Sequence, residues 1–430
     1  MPIRVFISHS TNQTENKPFL KDLCQRLKAE TKAGQSVFEV FVDTQINTGE
    51  SWRVKLLNWI SKCQAGIVLL NKKAITMSDW VHTEATLLRW RQWLDGDVML
   101  ILVLLGQDTQ QLFDKTTKWH PLSFGDIQFL KGDNGLEFTA PTIDTTAYEK
   151  MVAHLKQSKK IKTSFDKLRV GLQTSLESAF KDSCIDGKKI ETLVNTLLIE
   201  GPKQIDPLIN EYSMSFACKP APIKIALDLI APWWVNPVAS CPLCMPINRS
   251  QTHNAYCLNS SNPQYYRYTS MMYIRHAVCL APQFSKKRMV FVQGNSGYQD
   301  IQKHIEEVMN EVTSGLKNLI GKQRIEDLLY AVPDKRELDA DIHREINEWL
   351  ERKIEKRQPI FIVLPPHITV NTKLINKIFS TYPLVKLLLI MESKEAALKI
   401  KHAKQLKPFL DPIEEQREYN CYHDAKAYFD

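Results

Sequence analysis

Apolar positions along the first hundred residues alternate between two rhythms. Residues 4–8 and 37–42 are short apolar runs, and residues 65–70 and 98–105 are apolar almost without interruption. Such runs are strands. Between them the apolar residues fall at helical spacing: Phe19, Leu20, Leu23 and Leu27, then Leu56, Leu57 and Ile60, then Leu87, Leu88 and Trp90. Strands that are apolar on both faces must be covered on both faces, so the pattern predicts a parallel sheet flanked by helices. Ligands in such sheets bind beyond the carboxyl ends of the strands. Three polar segments fall there: residues 9–12, 43–52 and 78–84.

The texture changes near Pro141. From Ala147 to about Leu208 the apolar residues keep helical spacing, with breaks at Asp186-Gly187 and Gly201-Pro202. Mixed α/β patterning resumes near Pro220. Strands are predicted at 288–292, 359–364 and 385–391, and helices at 298–319 and 342–354. The chain therefore divides into an α/β domain over 1–137, a helical connector over 138–218 and a second α/β domain over 219–430.

The stretch Ser78-Asp79-Trp80-Val81-His82-Thr83-Glu84 carries the chemistry. On a helix Trp80 and Glu84 are four apart and share a face. An acid beside an aromatic wall at the end of a buried strand is an active-site arrangement. His82 lies off that face and reads as surface. Arg89 and Arg91 read as solvated helix charges.

Residues 1 to about 135 resemble a TIR domain (Toll/interleukin-1 receptor/resistance protein). Val5-Phe6-Ile7-Ser8-His9-Ser10 is similar to the family's first strand, F-I-S-Y/H-S. Asp43, Ile46 and Gly49-Glu50-Ser51 are similar to its BB loop. Ser78-x-Trp80-x-x-x-Glu84 is similar to the signature of its NAD+-cleaving members. One departure is the stretch Thr11-Asn12-Gln13-Thr14-Glu15, where the family often has an earlier acidic residue.

The resemblance implies a flavodoxin-like fold and cleavage of the N-glycosidic bond of NAD+, with nicotinamide released. NAD+ is then substrate, and no cofactor is implied. Glu84 is the implied catalytic residue. Ser8, His9, Ser10, Thr11, Asp43, Asn47, Gly49, Ser51, Trp52, Ser78 and Trp80 are the implied substrate-binding set. At Asn47 an amide replaces a carboxylate seen in some family enzymes. A single carboxylate suits this chemistry, because nicotinamide leaves a pyridinium as a neutral molecule and needs no general acid, unlike ordinary glycoside hydrolysis. The resemblance also implies self-association through TIR domains. An unknown trigger or partner would act at the C-terminal region.

The C-terminal region resembles, in layout alone, an inactivated STAND-type nucleotidase module. A strand at 288–292 runs into Gln293-Gly294-Asn295-Ser296-Gly297 and then a helix, the layout of a phosphate-binding loop. The G-x-x-x-x-G-K-[ST] pattern is absent, so no ATP hydrolysis is assigned. A sensing or docking domain is the simpler expectation. Cys241, Cys244, His253 and Cys257 form C-x2-C-x8-H-x3-C, the ligand types of a structural zinc site. Ordinary reduced cysteines are the competing reading, and it is preferred here.

Composition narrows the classes. The chain has 430 residues, 43% of them hydrophobic and 24% charged, an ordinary globular profile. No apolar run is long enough to cross a bilayer as a helix. The first residues already read as a core strand, so no signal peptide is expected. Nine scattered cysteines, an odd number, argue against a secreted disulfide framework and for a reducing cytoplasm. The net charge of +8 is mild, and basic clusters occur at 159–162, 286–288 and 399–407. Solvated helix faces are the preferred reading of these clusters over nucleic-acid contacts. Two alternatives to an NAD+-consuming effector stay open: a non-enzymatic TIR scaffold, and a TIR subunit of a nucleic-acid-guided Argonaute-type complex.

Overall fold

The computed structural model describes residues 2–10, 17–46, 52–96, 98–106, 112, 114, 117–119, 122, 124, 129–130, 142–181, 186–200, 220–235, 237–245, 247, 254–259, 266–277, 288–293, 300–321, 335–355, 358–366, 368, 372–391 and 404–406. It divides into two compact units, Met1–Lys167 with Cys244–Pro246, and Leu168–Leu243 with Ile247–Asp430.

The first unit begins with strand β1 (Ile3–Ser8) and helix α1 (Lys17–Ala29). A two-residue hairpin, β2 (Thr31–Lys32) and β3 (Gln35–Ser36), leads to β4 (Phe38–Phe41). Then follow α2 (Trp52–Lys62), β5 (Ala65–Asn71), α3 (Lys72–Met77), α4 (Asp79–Asp95), β6 (Met99–Leu105), β7 (Phe129–Leu130) and α5 (Thr145–Gln157). The sheet order is β4-β1-β5-β6-β7, every pair parallel. This is a flavodoxin-like sheet, as the sequence predicts. The chain leaves β1 toward one edge and leaves β5 toward the other, so the crevice for a ligand lies at their carboxyl ends, where Ser8 pairs in register with Val68.

Alternation along the strands sorts their side chains by face. Ile3, Val5, Ile7, Ala65, Ile67 and Leu69 form one core with the apolar faces of α1 and α5. The sequence places α5 at the start of the connector; here it packs into the first core through Met151 and Leu155. Asp144 caps it, accepting from Ala147 N at 2.7 Å. On the opposite sheet face α4 approaches β5 at Gly66, where an added Cβ would lie 2.6 Å from a methyl of Leu88. Glycine there lets α4 lie close to the sheet, one turn from Glu84.

Helices α6 (Ser164–Ala179) and α7 (Gly187–Glu200) follow the predicted periodicity. Asp186 starts α7 by accepting from Lys189 N at 2.8 Å, which explains the break in pattern. The second unit continues with α8 (Pro220–Ile230), α9 (Pro237–Ser240), β8 (Ala255–Asn259), α10 (Tyr266–Ala277), β9 (Met289–Phe291), α11 (Ile301–Ile320), α12 (Lys335–Glu355), β10 (Ile360–Leu364), α13 (Thr372–Thr381), β11 (Val385–Met391) and β12 (Lys404–Leu406). Its sheet, β12-β8-β11-β10-β9, is also wholly parallel.

The predicted strands at 288–292, 359–364 and 385–391 are β9, β10 and β11. β8, α10 and β12 were not read from the sequence. β9 is an edge strand of this sheet, and the turn that follows it, 294–297, lies outside the described residues. On β11, Val385, Leu387 and Leu389 enter the core, while Lys386 faces the other way and is fully buried. Its Nζ donates to the Leu243 carbonyl and sits 5.7 and 5.8 Å from the rings of Tyr256 and Phe361.

Gly315 on α11 faces Val290 of β9 so closely that an added Cβ would collide with a valine methyl. Valine is stiff at χ1 and sits in a packed core. Gly315→Ala is expected to lower the stability of the second unit by about 1–3 kcal/mol despite the better helix propensity of alanine. Chemical denaturation of the full chain, with the unfolding of this unit followed separately, checks it.

Candidate active site

Glu84 lies one and a half turns into α4. Ser78 starts that helix, its Oγ accepting from Val81 N at 3.2 Å. The family resemblance implies Ser78 as a substrate residue; its hydroxyl here caps the helix that carries the acid. The Glu84 side chain points to the end of β1, where Ser8 Oγ donates to Oε2 across 2.5 Å. Both residues are buried, at 3% and 1% exposure. Burial pushes the Glu84 carboxyl up to about 8; the negative charge of Asp43 adds to the rise, and the Ser8 hydrogen bond and the nearby Trp80 indole oppose it. Trp80 Nε1–H is buried and meets no acceptor in hydrogen-bond geometry, so its effect on the carboxyl is weaker than a true bond would give. A protonated acid therefore predominates at neutral pH in the unliganded site.

The neighbouring residue, His9, pairs with Asp43: Nε2–H donates to Oδ1 at 2.6 Å. Asp43 opens a short 3-10 turn, Asp43–Gln45, at the end of β4. Trp80 meets Trp52, the first residue of α2, edge to face with centroids 4.9 Å apart. The Arg53 guanidinium lies 5.3 Å from the Trp52 ring and 5.8 Å from that of Trp80. Trp52 remains 45% exposed, so the indole pair presents an aromatic surface to solvent next to the acid. Ser10 and His9 line a cleft of about 580 Å³ that runs along α1; Glu84 does not line it.

The structure thus brings Ser8, His9, Asp43, Trp52, Trp80 and Glu84 to one end of the sheet. Thr11, Asn47, Gly49 and Ser51 lie outside the described residues.

Sequence reasoning missed what holds α4. Every residue from Glu84 to Arg91 is buried. Arg89 and Arg91, read from the sequence as solvated, are 4% and 2% exposed. Arg89 Nε donates to Leu122 O at 2.9 Å and its Nη1 to Gln92 Oε1 at 2.6 Å. Arg91 Nη1 donates to the Ile60 carbonyl and contacts Cys63 Sγ at 3.3 Å. His82 is likewise half-buried and not a surface residue. Its Nε2–H donates to Lys118 O at 2.8 Å, and burial lowers its pKa.

Residues 117–119 thus strap the first turns of α4. Lys118 Nζ pairs with Asp79 at 2.6 Å, and Trp119 Nε1–H donates to Ile75 O at 2.8 Å. The Lys118 hydrogen bond and charge hold the Asp79 carboxyl below its usual range. The only sequence signal was a tryptophan in a polar stretch without periodicity.

The cysteine set does not form a metal centre among the described residues, in which no group of three or more potential ligands is found. His253 lies outside them. Cys257 sits on β8 inside the second core, and burial raises its thiol to about 11.

None of the helices among the described residues is long and apolar enough to cross a membrane. A search of curated proteins finds no match to the chain. Residues 5–133 match the family model described as TIR domain, and the N-terminal third of this chain is a TIR domain.

Proposed function

We propose that this protein is an NAD+ glycohydrolase, an effector of a conflict or defence system whose TIR domains act after a trigger brings them together. The observation that carries the reading is the buried Glu84 carboxyl held by Ser8 at the carboxyl end of β1, beside the Trp52–Trp80 pair. The chemistry follows from what leaves. The bond between ribose C1′ and the pyridinium nitrogen breaks, and its electron pair neutralises the ring. Nicotinamide departs uncharged, and the ribose becomes oxocarbenium-like. An anion fixed against that sugar stabilises the transition state more than the ground state. Water then adds at C1′ and loses a proton, giving ADP-ribose, nicotinamide and H+. Attack by the adenine of the same molecule in place of water gives a cyclic product.

The resting site is tuned against this step, since Glu84 must lose its proton to act. The substrate supplies the remedy: a pyridinium-bearing sugar beside the carboxyl favours its ionised form. The pH dependence follows. Activity measured as kcat/KM, which reports the free enzyme, is expected to rise about tenfold per pH unit up to about 8 and then level off. The kcat profile is expected to lie at lower pH, because bound NAD+ carries the cation. A kcat/KM profile flat between pH 5 and 9 would remove Glu84 from the chemistry. Incubating the purified chain with NAD+, with and without candidate triggers, and identifying products by mass spectrometry tests the activity itself. Proteins that oligomerise yet release no nicotinamide under any trigger would overturn it.

The second α/β domain is proposed as the part that senses the trigger or docks a partner, and the cytoplasm as the compartment.

A further inference from the structure

The cleft beside His9 has a composition that the glutamate chemistry does not use. Lys17, Lys21 and Lys28 line it from α1, and among the described residues no carboxylate does. At 100° per residue these three lysines lie within about 40° of one another around the helix, and they span about 16 Å along it. The opposite face of α1 is the buried one, carrying Phe19, Leu23 and Leu27. None of the three lysines forms an ion pair among the described residues. The acidic neighbour Asp43 is taken up by His9. Leu20 and Val42 give the cleft an apolar floor, and both are buried. The volume, about 580 Å³, is that of a small-molecule site.

Three cations in a row, without an ion pair among the described residues and above an apolar floor, suit an elongated anion with a flat apolar part. Position adds to this. Ser8 and His9 are adjacent at the end of β1, so their Cα atoms are about 3.8 Å apart. Ser8 bonds Glu84 on one side of the sheet edge; His9 lines the basic cleft on the other. A ligand crossing the carboxyl edge of β1 would touch both.

We propose that this cleft binds the phosphates of a nucleotide ligand, with Lys17 and Lys21 on the diphosphate and the far ribose or base running toward Lys28. The assignment rests on the NAD+ reading for the identity of the ligand, though not for its charge. It makes Lys17 and Lys21 binding residues of the same substrate whose scissile sugar meets Glu84.

The test is calorimetric titration of the full-length protein with ADP-ribose, with inorganic pyrophosphate and with nicotinamide riboside, which lacks the diphosphate. Wild type is expected to bind ADP-ribose, less tightly as salt is raised. Lys17→Gln with Lys21→Gln is expected to weaken that binding by about tenfold or more. Pyrophosphate is expected to compete, and the riboside is expected not to respond to the lysines. Lys28→Gln alone, at the other end of the stripe, is expected to weaken ADP-ribose but not pyrophosphate. The substituted side chains are exposed, and an unchanged circular dichroism spectrum confirms that the variants fold. Equal ADP-ribose affinity in wild type and the double variant, or no binding in either, overturns the proposal. The two readings fail separately. Lysine-dependent ADP-ribose binding without nicotinamide release leaves the cleft standing and removes the hydrolase; nicotinamide release with an unchanged KM in the double variant does the reverse.

Discussion

Glu84→Gln is expected to abolish nicotinamide release while making the protein more stable at alkaline pH. The amide keeps the size of the side chain and still accepts from Ser8 Oγ, so the packing of α4 on β1 is preserved. What disappears is the negative charge. Removing one preorganised electrostatic group from a site of this kind costs about 10²–10³ in kcat, and a site with a single carboxylate has no second group to take over. The stability change has the opposite sign. The Glu84 carboxyl stands at about 8 in the folded chain against an ordinary 4.5. Between those values the folded chain holds a proton that the unfolded chain has released. Stability therefore falls as pH rises through 4.5 and stops falling above about 8. Glutamine has nothing to titrate and escapes that loss, on the order of a few kcal/mol at pH 9 and nothing at pH 4. Thermal unfolding of wild type and variant at those two pH values, beside a nicotinamide release assay, reads both effects. A variant less stable than wild type at pH 9 would show that the carboxylate is stabilised by its surroundings and not strained by them.

The same pairing of function with local cost explains which parts of the site were legible in the sequence. β1, β5 and β6 were readable because strands buried on both faces leave continuous apolar runs, and that burial also places their carboxyl ends. Glu84 was readable because an acid at fixed spacing from Trp80 follows such a strand. Arg89 and Arg91 were not. A charged residue in a helical pattern normally faces water, and nothing in the local spacing shows that carbonyls at Leu122 and Ile60 await the guanidiniums. β8 was missed for a related reason. Its five residues follow Asn254, end on Asn259 and contain a cysteine, so ligand spacing competed with strand patterning, and only the partners β11 and β12 decide between them. The Lys17, Lys21 and Lys28 stripe was not read from the sequence, because lysines on one face of a helix carry no meaning until Val42 and Thr44 close the cleft opposite them.

Trp119→Ala is expected to be the most damaging substitution apart from changes at Glu84, because one side chain joins three parts of the support for α4. The ring is 1% exposed. Its Nε1–H satisfies Ile75 O in the last turn of α3, its ring meets that of His82 at a near right angle with centroids 5.0 Å apart, and it packs on Phe124 at 5.9 Å. Truncation opens a cavity, leaves the Ile75 carbonyl without its donor and frees His82, whose ring is bonded to the adjacent Lys118 carbonyl. Loss of a buried tryptophan costs about 3–5 kcal/mol. Trp119→Phe keeps most of the packing and loses only the hydrogen bond, about 1–2 kcal/mol. The two compact units need not unfold together, so the shift belongs to the first-unit transition and is best followed by hydrogen exchange along α4. The strap holds the first turns of α4, which carry Ser78, Trp80 and, one turn on, Glu84. The alanine variant should therefore lose nicotinamide release well below its unfolding temperature, and the phenylalanine variant should keep most of it. Equal exchange protection of α4 in wild type and Trp119→Ala would mean that the helix is held by the sheet alone, through Gly66 and Leu88, and that the strap has no part in positioning the acid.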